Sequence, residues 1–538
     1  MILPLVVATI VLLGSYLYGR LRYMRLKQYA FFPQMPTSLI LGHLKHIDDF
    51  IRIGKPNGHP DLAFAAMNEA IGRPALMFLD LRPVSSPIVI VRSHEVAEQI
   101  SKASKLLPHS FPKAPSVYDH MVHVTGRTSI LGANGEDWKL LRRRFNPGFA
   151  HKYLTTFLPC ILDKSFTFLK LLDEFANTGN EFSLVHLAGN LTFDIICGVV
   201  MDVDVGSQDS EEPNDLVPAY HELFATYASE QMDLPWIFTP RVEWKRRQLA
   251  KRVRRTLGAI VRDAFNKRRV ETTKSRSILS LSLQDEAGDV ITPQSVDEAC
   301  DQLSTFLFAG HDTTSVLISW MFYELSRTPH ALRALRGELD ELFGVDSDPS
   351  IVRSKLLSED GKTLLNRMTY TNAVIKETLR LWPPAGTARK TEPGAGLTVH
   401  TPTGDYPLEG VNIYNCAIMI QRDPEVYGDK ANNFVPERWL SDAAEQIPPS
   451  AWRAFERGPR NCIGQELANL EARVVVALVA RRYDFVKVGI GALSVDGETG
   501  SPIVDSKGYF KVVSEMYPVS AYFPLFQLFG MIVFCDYG

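Results

Sequence analysis

Apolar and polar positions in the body of this chain repeat mainly with the period of amphipathic helices. The longest such pattern predicts a helix over residues 293–327, because Thr292 suits an N-cap and Pro293 suits the first helical position. A second helix is predicted over 370–381, where it stops before two prolines. Short pieces within 387–414, interrupted by Gly and Pro, predict strands. The pattern indicates a mainly α protein with a minor β component.

The start of the chain is a continuous apolar run without a charged side chain. As a helix, residues 1–19 would span roughly 28 Å, close to the thickness of a bilayer's hydrocarbon core. Positive residues follow at once and predict a single membrane anchor with the rest of the chain in the cytosol. The rival interpretation is a cleaved signal peptide, which needs a basic segment before the apolar run and a small-residue cleavage site after it, whereas the order here is reversed. The positive residues are Arg20, Arg22, Arg25 and Lys27.

Composition and charge are those of a globular protein, since 45% of the 538 residues are hydrophobic, 22% are charged and the net charge is -3. Nothing in that balance points to nucleic acid as a partner. No Gly/Ser linker cuts the middle of the chain. We therefore expect one large domain over 51–519, behind the anchor at 1–19 and a basic, proline-rich linker at 20–50.

The six cysteines are far apart and include no C-x-x-C pair, which argues against a zinc site and a disulfide framework. Five of them are predicted to be reduced, mostly buried thiols, and Cys462 is considered separately. The other five are Cys160, Cys197, Cys300, Cys416 and Cys535.

Cys462 lies in the turn-rich segment 455–464, directly before a helix-like stretch that begins at Gln465. A helix N-terminus lowers the pKa of a thiol, because the helix dipole and the free N–H groups favour the thiolate. A thiolate is the ligand with which a haem iron cleaves the O–O bond. Phe455 can shield the sulfur from water, and Arg460 can pair with a haem propionate. Gly458 and Gly464 are predicted to let the backbone approach a porphyrin closely.

A polar group interrupts the middle of the long predicted helix, where Asp312 and Thr313 lie between apolar residues. Polar residues in a buried helix are costly unless they are satisfied or useful. Ala309 and Gly310 are small, which predicts that a ligand approaches the backbone there. Thr313 can bond to a carbonyl one turn back and open a kink, and a structural kink is the plain alternative to a functional site. His311 is interpreted as a core residue with no role at iron.

The spacing F-x-x-G-x-R-x-C-x-G in the cysteine segment resembles the cytochrome P-450 family, and the resemblance covers roughly residues 30–515. It implies a cytochrome P-450-type haem domain with haem b as cofactor and Cys462 as the axial iron ligand. It also implies that Thr313 positions bound oxygen while Asp312 relays protons to it. Residues 456–468 look most like membrane-anchored filamentous-fungal members of secondary metabolism, some of which oxidise polyketide intermediates.

The resemblance gives a structural role to Glu377, Arg380 and Arg438. Glu377 and Arg380 lie one turn apart on the helix predicted over 370–381. With Arg438 they would form the family's buried Glu-Arg-Arg triad behind the cysteine loop. We expect the triad to serve folding and haem incorporation, because removing one member would leave a buried charge unpaired.

The resemblance also identifies residues that would grip haem propionates. Trp138 and Arg142 match the family's W-x-x-x-R on a short helix predicted over 138–145, and Arg389 matches another propionate-binding arginine. Further arginines would face outward as a basic patch that docks an acidic reductase, with a simple solvated face as the alternative. These are Arg143, Arg144, Arg453 and Arg457.

The interpretation that follows is an oxidoreductase, a haem-thiolate monooxygenase that inserts one oxygen atom from O2 into an apolar small molecule, such as a polyketide intermediate of fungal secondary metabolism. Electrons would come from a separate NADPH-cytochrome P-450 reductase, with cytochrome b5 as a further donor, because the chain carries no flavin or nicotinamide fingerprint. The expected location is the endoplasmic reticulum membrane, with a single span and a cytosolic catalytic domain.

Three other functions remain open at this point. The first is a haem-thiolate isomerase or dehydratase that works without a reductase, and the second is a peroxygenase. Asp312 and Thr313 argue against both, since neither needs a proton relay to bound oxygen, and the anchor also disfavours a peroxygenase. The third is a non-catalytic haem-binding protein, which would show no NADPH-driven turnover.

Two segments have uncertain roles. The apolar segment 234–238 is followed by a basic helix, and together they predict either a solvated face or a second membrane contact. Residues 520–538 form an atypical apolar tail that is too short for a second span. The resembled family would have a polar, basic strand there, so we expect translation through an unspliced intron or a frameshift, which sequencing of the transcript would test.

Overall fold

The computed structural model describes residues 2–53, 59–208, 213–228, 239–270, 277–283, 290–440, 442–497, 499, 501–506, 509–513 and 530–535. Contacts divide the chain into two compact units. The smaller unit comprises residues 1–114, 386–423 and 449–460, and the larger unit comprises 115–385, 424–448 and 461–538.

The smaller unit contains most of the strands. Its helices are α1 (Ile2–Leu26), α2 (Leu44–Ile53), α3 (Pro60–Ala70), α4 (His94–Ser101) and α19 (Ala417–Gln421). Its strands are β1 (Leu76–Leu79), β2 (Ile88–Val91), β4 (Thr387–Lys390), β5 (Thr398–Thr401), β6 (Gly404–Pro407) and β7 (Asn412–Asn415). The strands β4 to β7 confirm the strand pattern predicted within 387–414.

A four-stranded sheet with the order β1-β2-β7-β4 is the centre of this unit. The β2–β7 pair is parallel, and the other two pairs are antiparallel. Alternate side chains of β1 enter two separate apolar cores, Leu76 and Phe78 on one face and Met77 and Leu79 on the other. Because successive side chains of a strand point to opposite faces, this uniformly apolar strand is buried on both sides.

The N-terminal helix α1 is fixed to this sheet at its end. Over Leu3–Leu26 it is long and apolar enough to cross a membrane, and none of its most apolar 18-residue window is buried. It continues past the predicted boundary at residue 19, because Arg25 forms a buried 2.8 Å ion pair with Asp80, directly after β1. A Cβ on Gly42, whose φ is +56°, would lie 2.6 Å from the Arg25 guanidinium. The stretch expected to be a linker at 20–50 therefore contains the end of α1, the start of α2 and Arg25, one partner of a buried ion pair.

The larger unit is mainly helical. Its first helices are α5 (Pro115–His120), α6 (Val122–Thr125), α7 (Gly135–Phe145), α8 (His151–Leu154), α9 (Leu158–Thr178), α10 (Leu184–Met201), α11 (Leu216–Ala228), α12 (Pro240–Val270) and α13 (Ile278–Ser282). The others are α14 (Pro293–Arg327), α15 (Pro329–Phe343), α16 (Pro349–Leu357), α17 (Gly361–Arg367), α18 (Thr369–Leu381), α20 (Pro424–Tyr427), α21 (Ala443–Gln446) and α22 (Gln465–Val479). Among the residues that the structure describes, this unit also has the short strands β3 (Phe182–Ser183), β8 (Tyr483–Lys487) and β9 (Gly530–Cys535).

The long helix α14 runs through this unit and confirms the predicted range of residues. The Thr292 side chain accepts a hydrogen bond from the Ser295 N–H, and Pro293 opens the helix. α14 packs along α10, whose stretch Leu184–Met201 is also apolar and long enough to cross a membrane but is mostly buried. Burial of α10 marks it as a core helix of this unit.

Helix α18 takes its N-terminal cap from another helix. Glu338 of α15 accepts hydrogen bonds from the backbone N–H groups of Tyr370 at 2.5 Å and Thr371 at 2.8 Å. A carboxylate at a helix N-terminus satisfies free donors and complements the dipole. The start of the helix that carries Glu377 is thereby fixed.

The basic helix predicted after residue 238 is α12, and many of its charges are paired within the larger unit. Arg246 is buried and donates to the carbonyl of Thr226 at 3.0 Å. Arg254 pairs with Asp301 of α14 at 2.5 Å. These two arginines support helix packing and are not part of a membrane-facing surface. The apolar segment 234–238 lies outside the described residues.

Part of the C-terminal tail forms the central strand of a three-stranded sheet with the order β3-β9-β8. β9 is antiparallel to both of its neighbours. The segment from Gly530 to Cys535 thus pairs with strands from two distant parts of the larger unit.

Candidate active site

The structure places Cys462 directly before α22, which begins at Gln465 as predicted. The thiol is exposed. A Cβ on Gly464 would lie 3.8 Å from the sulfur, at ordinary contact distance. Arg142 of α7 donates to the carbonyl of Asn461 at 2.6 Å and to its side-chain oxygen at 3.0 Å. Helix α7 thereby fixes the residue next to the cysteine.

Trp138 and Arg142 lie one turn apart on α7. The Trp138 side chain is buried. Burial lowers the pKa of Arg142, and the nearby charge of Cys462 acts in the opposite direction. Arg142 is therefore a cation held close to the thiol, and its contact with Asn461 adds a loop-positioning role that sequence reasoning had not included.

Thr313 makes the predicted contact with the preceding turn of α14. Its hydroxyl donates a 2.6 Å hydrogen bond to the carbonyl of Ala309. Ala309 is exposed, although the residues of α14 on either side of this region are largely buried. Gly310 serves helix packing instead of ligand approach, since a Cβ there would lie 2.7 Å from Ile196 of α10. Ala309 is thus the small residue that leaves the surface of α14 open.

Asp312 carries a carboxylate oxygen, Oδ2, that is buried and has no hydrogen-bond partner among the residues that the structure describes. Burial without a compensating charge raises the pKa of Asp312 to about 8. The group is therefore mostly protonated at neutral pH and able to donate a proton. A pKa shifted toward the operating pH is typical of groups that transfer protons.

His311 is a core residue, as predicted. Its Nδ1 lies 2.7 Å from the carbonyl of Leu307. Aromatic rings surround the imidazole, and those of Phe193, Tyr220 and Phe224 each lie 5.5 Å from it. Burial lowers its pKa to about 3. The imidazole is neutral and serves the packing of α10, α11 and α14.

The predicted triad of Glu377, Arg380 and Arg438 is assembled. Arg380 binds both carboxylate oxygens of Glu377, at 2.8 and 2.9 Å, and Arg438 Nε binds one at 3.0 Å. The Trp439 indole and the Val435 backbone N–H each donate at 2.9 Å, and the sequence had not indicated either contact. Burial by itself would raise the pKa of Glu377, but the two arginines hold it below its usual range. The carboxylate is ionised and fully satisfied.

The smaller unit holds the remaining residues that were predicted to contact haem. Arg389 lies in β4, is fully buried and donates to the carbonyl of Phe111 at 3.1 Å. Arg460 is buried as well. The Phe455 ring packs at a tilt against Trp452, with centroids 5.9 Å apart. Two buried cations and an aromatic residue are therefore built into this unit.

The predicted basic patch is wrong at one of its four arginines. Arg453 is buried, with 1% of its side chain exposed, and pairs with Glu98 at 3.1 Å. Arg457 also pairs with Glu98, at 2.9 Å. Arg143 and Arg144 are exposed. The error arose because the partner of Arg453 lies on α4, far away in the chain, where no local pattern could indicate it.

The donor set fits a haem with a thiolate ligand. An exposed thiol at a helix N-terminus offers the soft sulfur that iron accepts in such proteins. Ala309 opens the surface of α14, and Asp312 beside it holds a proton. Arg389 and Arg460 are buried cations of the kind that pair with carboxylates of a ligand.

A mainly helical fold with an exposed cysteine directly before a helix agrees with the haem-thiolate class of oxidoreductases. The family model described as "Cytochrome P450" matches residues 40–490, so the chain belongs to the cytochrome P450 family and is a monooxygenase of that family. Haem iron with a cysteine thiolate ligand is the cofactor that family membership implies.

Two fungal relatives are similar over most of their length. Cytochrome P450 monooxygenase polC of Polytolypa hystricis is 30% identical over 490 residues, which cover 87% of this chain and 84% of the relative. Cytochrome P450 monooxygenase acrF of Aspergillus aculeatus is 30% identical over 456 residues, covering 79% and 87%. Human Cytochrome P450 4V2 is 26% identical over 419 residues, covering 74% of each chain.

A solved structure shares the fold. The crystal structure of the cytochrome P450DA heme domain aligns with a TM-score of 0.68, at 17% sequence identity, and covers 93% of this chain and 96% of its own. This likeness establishes the cytochrome P450 fold for the chain.

Proposed function

We propose that this protein is a membrane-anchored haem-thiolate monooxygenase in which Cys462 is the axial ligand of the haem iron. The observation that carries the proposal is the exposed Cys462 thiol directly before the N-terminus of α22. The helix N-terminus favours the thiolate, and Arg142 supplies a neighbouring positive charge. The other five cysteines lack this combination in the sequence pattern.

Seven residues would hold haem b. Cys462 would bind the iron, and the buried or half-buried arginines would pair with propionates. When bound, the haem supplies the activation of O2 for insertion of one oxygen atom. The other six are Trp138, Arg142, Arg389, Phe455, Arg460 and Gly464.

Asp312 and Thr313 would hold and transfer the protons that oxygen activation consumes. Asp312 holds a proton on its carboxyl group at neutral pH, because burial raises its pKa to about 8. The Thr313 hydroxyl donates to Ala309 at 2.6 Å, which leaves its oxygen free to accept a hydrogen bond. The pair thus combines a proton source with an oriented acceptor on the open face of α14.

The substrate that we propose is an apolar small molecule, such as a polyketide intermediate of fungal secondary metabolism. The similarity to two fungal monooxygenases agrees with this class.

The electrons would come from an NADPH-cytochrome P-450 reductase, with cytochrome b5 as a further donor. The exposed Arg143 and Arg144 on α7 support docking of an acidic partner. Helix α1 would span the endoplasmic reticulum membrane once, with the domain 51–519 in the cytosol. The positive residues at 20–27 support that orientation.

The test is the carbon monoxide difference spectrum of the reduced, haem-loaded protein beside Cys462→Ala and the control Cys160→Ala. We expect a strongly red-shifted Soret band in the wild type and in Cys160→Ala, and its loss in Cys462→Ala. A band at the position typical of histidine-ligated haem in the wild type would contradict the proposal. NADPH oxidation with an added reductase would then separate a monooxygenase from the isomerase and the non-catalytic haem protein.

A further inference from the structure

Arg453 clamps the chain just before the cysteine loop (residues 455–464) to the C-terminus of α4. Its guanidinium donates to the carbonyl of Ala97 at 3.2 Å and to Ser101 Oγ at 2.5 Å. It also pairs with Glu98 at 3.1 Å. The last carbonyls of a helix lack partners and carry partial negative charge, so a buried cation at that end is stabilised. The end of α4 is therefore a docking point for this segment.

Glu456 is the carboxylate at the centre of the same cluster. It accepts hydrogen bonds from Arg453, from Ser101 Oγ at 2.8 Å and from the side-chain amide of Asn415 at 3.3 Å. Its side chain is only 15% exposed. Burial by itself would raise the pKa of Glu456, but Arg453, then Arg389, and the Ser101 hydrogen bond hold it below its usual range. The group is a fixed negative charge.

The backbone of the cysteine loop is bent against α4 at this point. Glu456 has φ of +55° and Gly458 has φ of +76°. A Cβ on Gly458 would overlap the Ser101 carbonyl, so only glycine allows this approach. The left-handed conformation is disfavoured for glutamate. The hydrogen bonds of the Glu456 side chain hold the backbone in it nonetheless.

The charge of Glu456 acts on Arg389. Arg389 lies in β4 beside β7, which carries Asn415, a hydrogen-bond donor to Glu456. Arg389 is also one of the charges that lower the pKa of Glu456. Opposite charges in a largely buried setting interact more strongly than they do in water. Glu456 thus offsets part of the positive charge of the arginine that we assign to a haem propionate.

We propose that Glu456 is a positioning residue that fixes the cysteine loop on α4 and, by balancing the charge of Arg389, lowers the reduction potential of the haem iron. This inference rests on the proposed function, since it takes Cys462 as the iron ligand and Arg389 as a propionate partner. A positive charge near the iron favours the reduced state, which holds one more electron, so a carboxylate that offsets it favours the ferric state.

The experiment is potentiometric titration of the haem-loaded, full-length protein and of Glu456→Gln, which keeps the shape and removes the charge. We expect the ferric–ferrous equilibrium of Glu456→Gln to shift about tenfold toward the ferrous state, a rise of about 59 mV for a one-electron couple. Glu95→Gln is the matched control, because Glu95 is an exposed glutamate on the same helix α4. We expect its potential to equal that of the wild type.

A second pair of variants covers the case in which Glu456→Gln does not hold haem. Glu456→Asp and Glu456→Asn are equal in size, both tolerate the left-handed backbone, and they differ in charge. We expect the potential of Glu456→Asn to exceed that of Glu456→Asp. Equal potentials for the wild type and Glu456→Gln, or for Glu456→Asp and Glu456→Asn, would overturn the role of Glu456 while leaving the proposed function intact. If the wild type itself showed no red-shifted carbon monoxide band, the proposed function and this inference would be refuted together.

Discussion

Glu377 and Asp312 are two carboxylates buried in the helices of the larger unit, and their surroundings are opposite. Glu377 receives hydrogen bonds from two arginines, an indole and a backbone N–H. Asp312 has an oxygen, Oδ2, for which the described part of the chain provides no hydrogen-bond partner. The pKa of Glu377 is accordingly lowered, while burial raises that of Asp312 to about 8.

The difference separates a structural carboxylate from a functional one. A buried charge that is paired on every side stabilises one arrangement of its neighbours and has no reason to change protonation state. A buried acid without partners is costly to ionise, so it retains its proton and can release it to a stronger base. Burial alone therefore says little about role, and the number of hydrogen bonds to the carboxylate is the informative quantity.

The largest expected effect is that of Glu377→Ala. Removing the carboxylate leaves the fully buried Arg380 without its main partner, which should cost about 3–5 kcal/mol of stability and reduce the yield of haem-loaded protein. Urea denaturation followed by circular dichroism measures the change. Glu341→Gln is the control, since its side chain is 75% exposed in an ion pair with Arg367, and it should cost less than about 1 kcal/mol. Similar losses in both variants would refute the structural role.

Asp312→Asn should leave the fold intact and slow turnover. Asparagine keeps the shape but cannot supply a proton, and positioned acids contribute about 10²–10⁴-fold to the rate. We expect a carbon monoxide band like that of the wild type and substrate oxidation at least about a hundredfold slower, with NADPH and a reductase present. An unchanged rate would show that protons reach the oxygen by another route.

The third prediction concerns the pH dependence of stability. An unfolded aspartate releases its proton near pH 4, whereas folded Asp312 retains it to about pH 8. The contribution of Asp312 to the stability of the wild type should therefore fall as the pH rises between these values, by at most about 1.4 kcal/mol per pH unit. Asp312→Asn lacks this pH-dependent contribution to stability. The melting temperature of the variant, relative to that of the wild type, should therefore increase from pH 5 to pH 8.

The control for that measurement is Asp263→Asn, which alters an aspartate on α12 whose side chain is 62% exposed. Its melting temperature relative to the wild type should stay constant over the same pH range. A parallel pH profile for Asp312→Asn would mean that Asp312 titrates as an ordinary aspartate.

Sequence reasoning succeeded where the signal is local. The start of α14 followed from Thr292 and Pro293, and the contact between Glu377 and Arg380 followed from their spacing on one helix. It failed where the partner is distant. Gly310 was taken as a point of ligand approach because its neighbour Ile196 on α10 could not be foreseen.

A distant partner also explains the wrong prediction for Arg453. Arg453 was assigned to the surface because its partner on α4 lies more than 300 residues away in the chain. Glu456, to which the sequence pattern gave no role, also depends on contacts with Ser101 and Asn415, which lie far from it in the chain. Local patterns therefore predicted the residues of the candidate site, and the three-dimensional structure was needed to identify the contacts that support them.

The ion pair between Arg25 and Asp80 determines where the chain can be shortened. A soluble enzyme is usually sought by removing the whole apolar helix, but a cut after Leu26 would also remove Arg25 and leave the nearly inaccessible carboxylate of Asp80 to Arg82. A cut before Tyr23 would discard most of the apolar stretch and retain the last turn of α1. The folded body of the enzyme thus begins inside the helix that is long and apolar enough to cross a membrane.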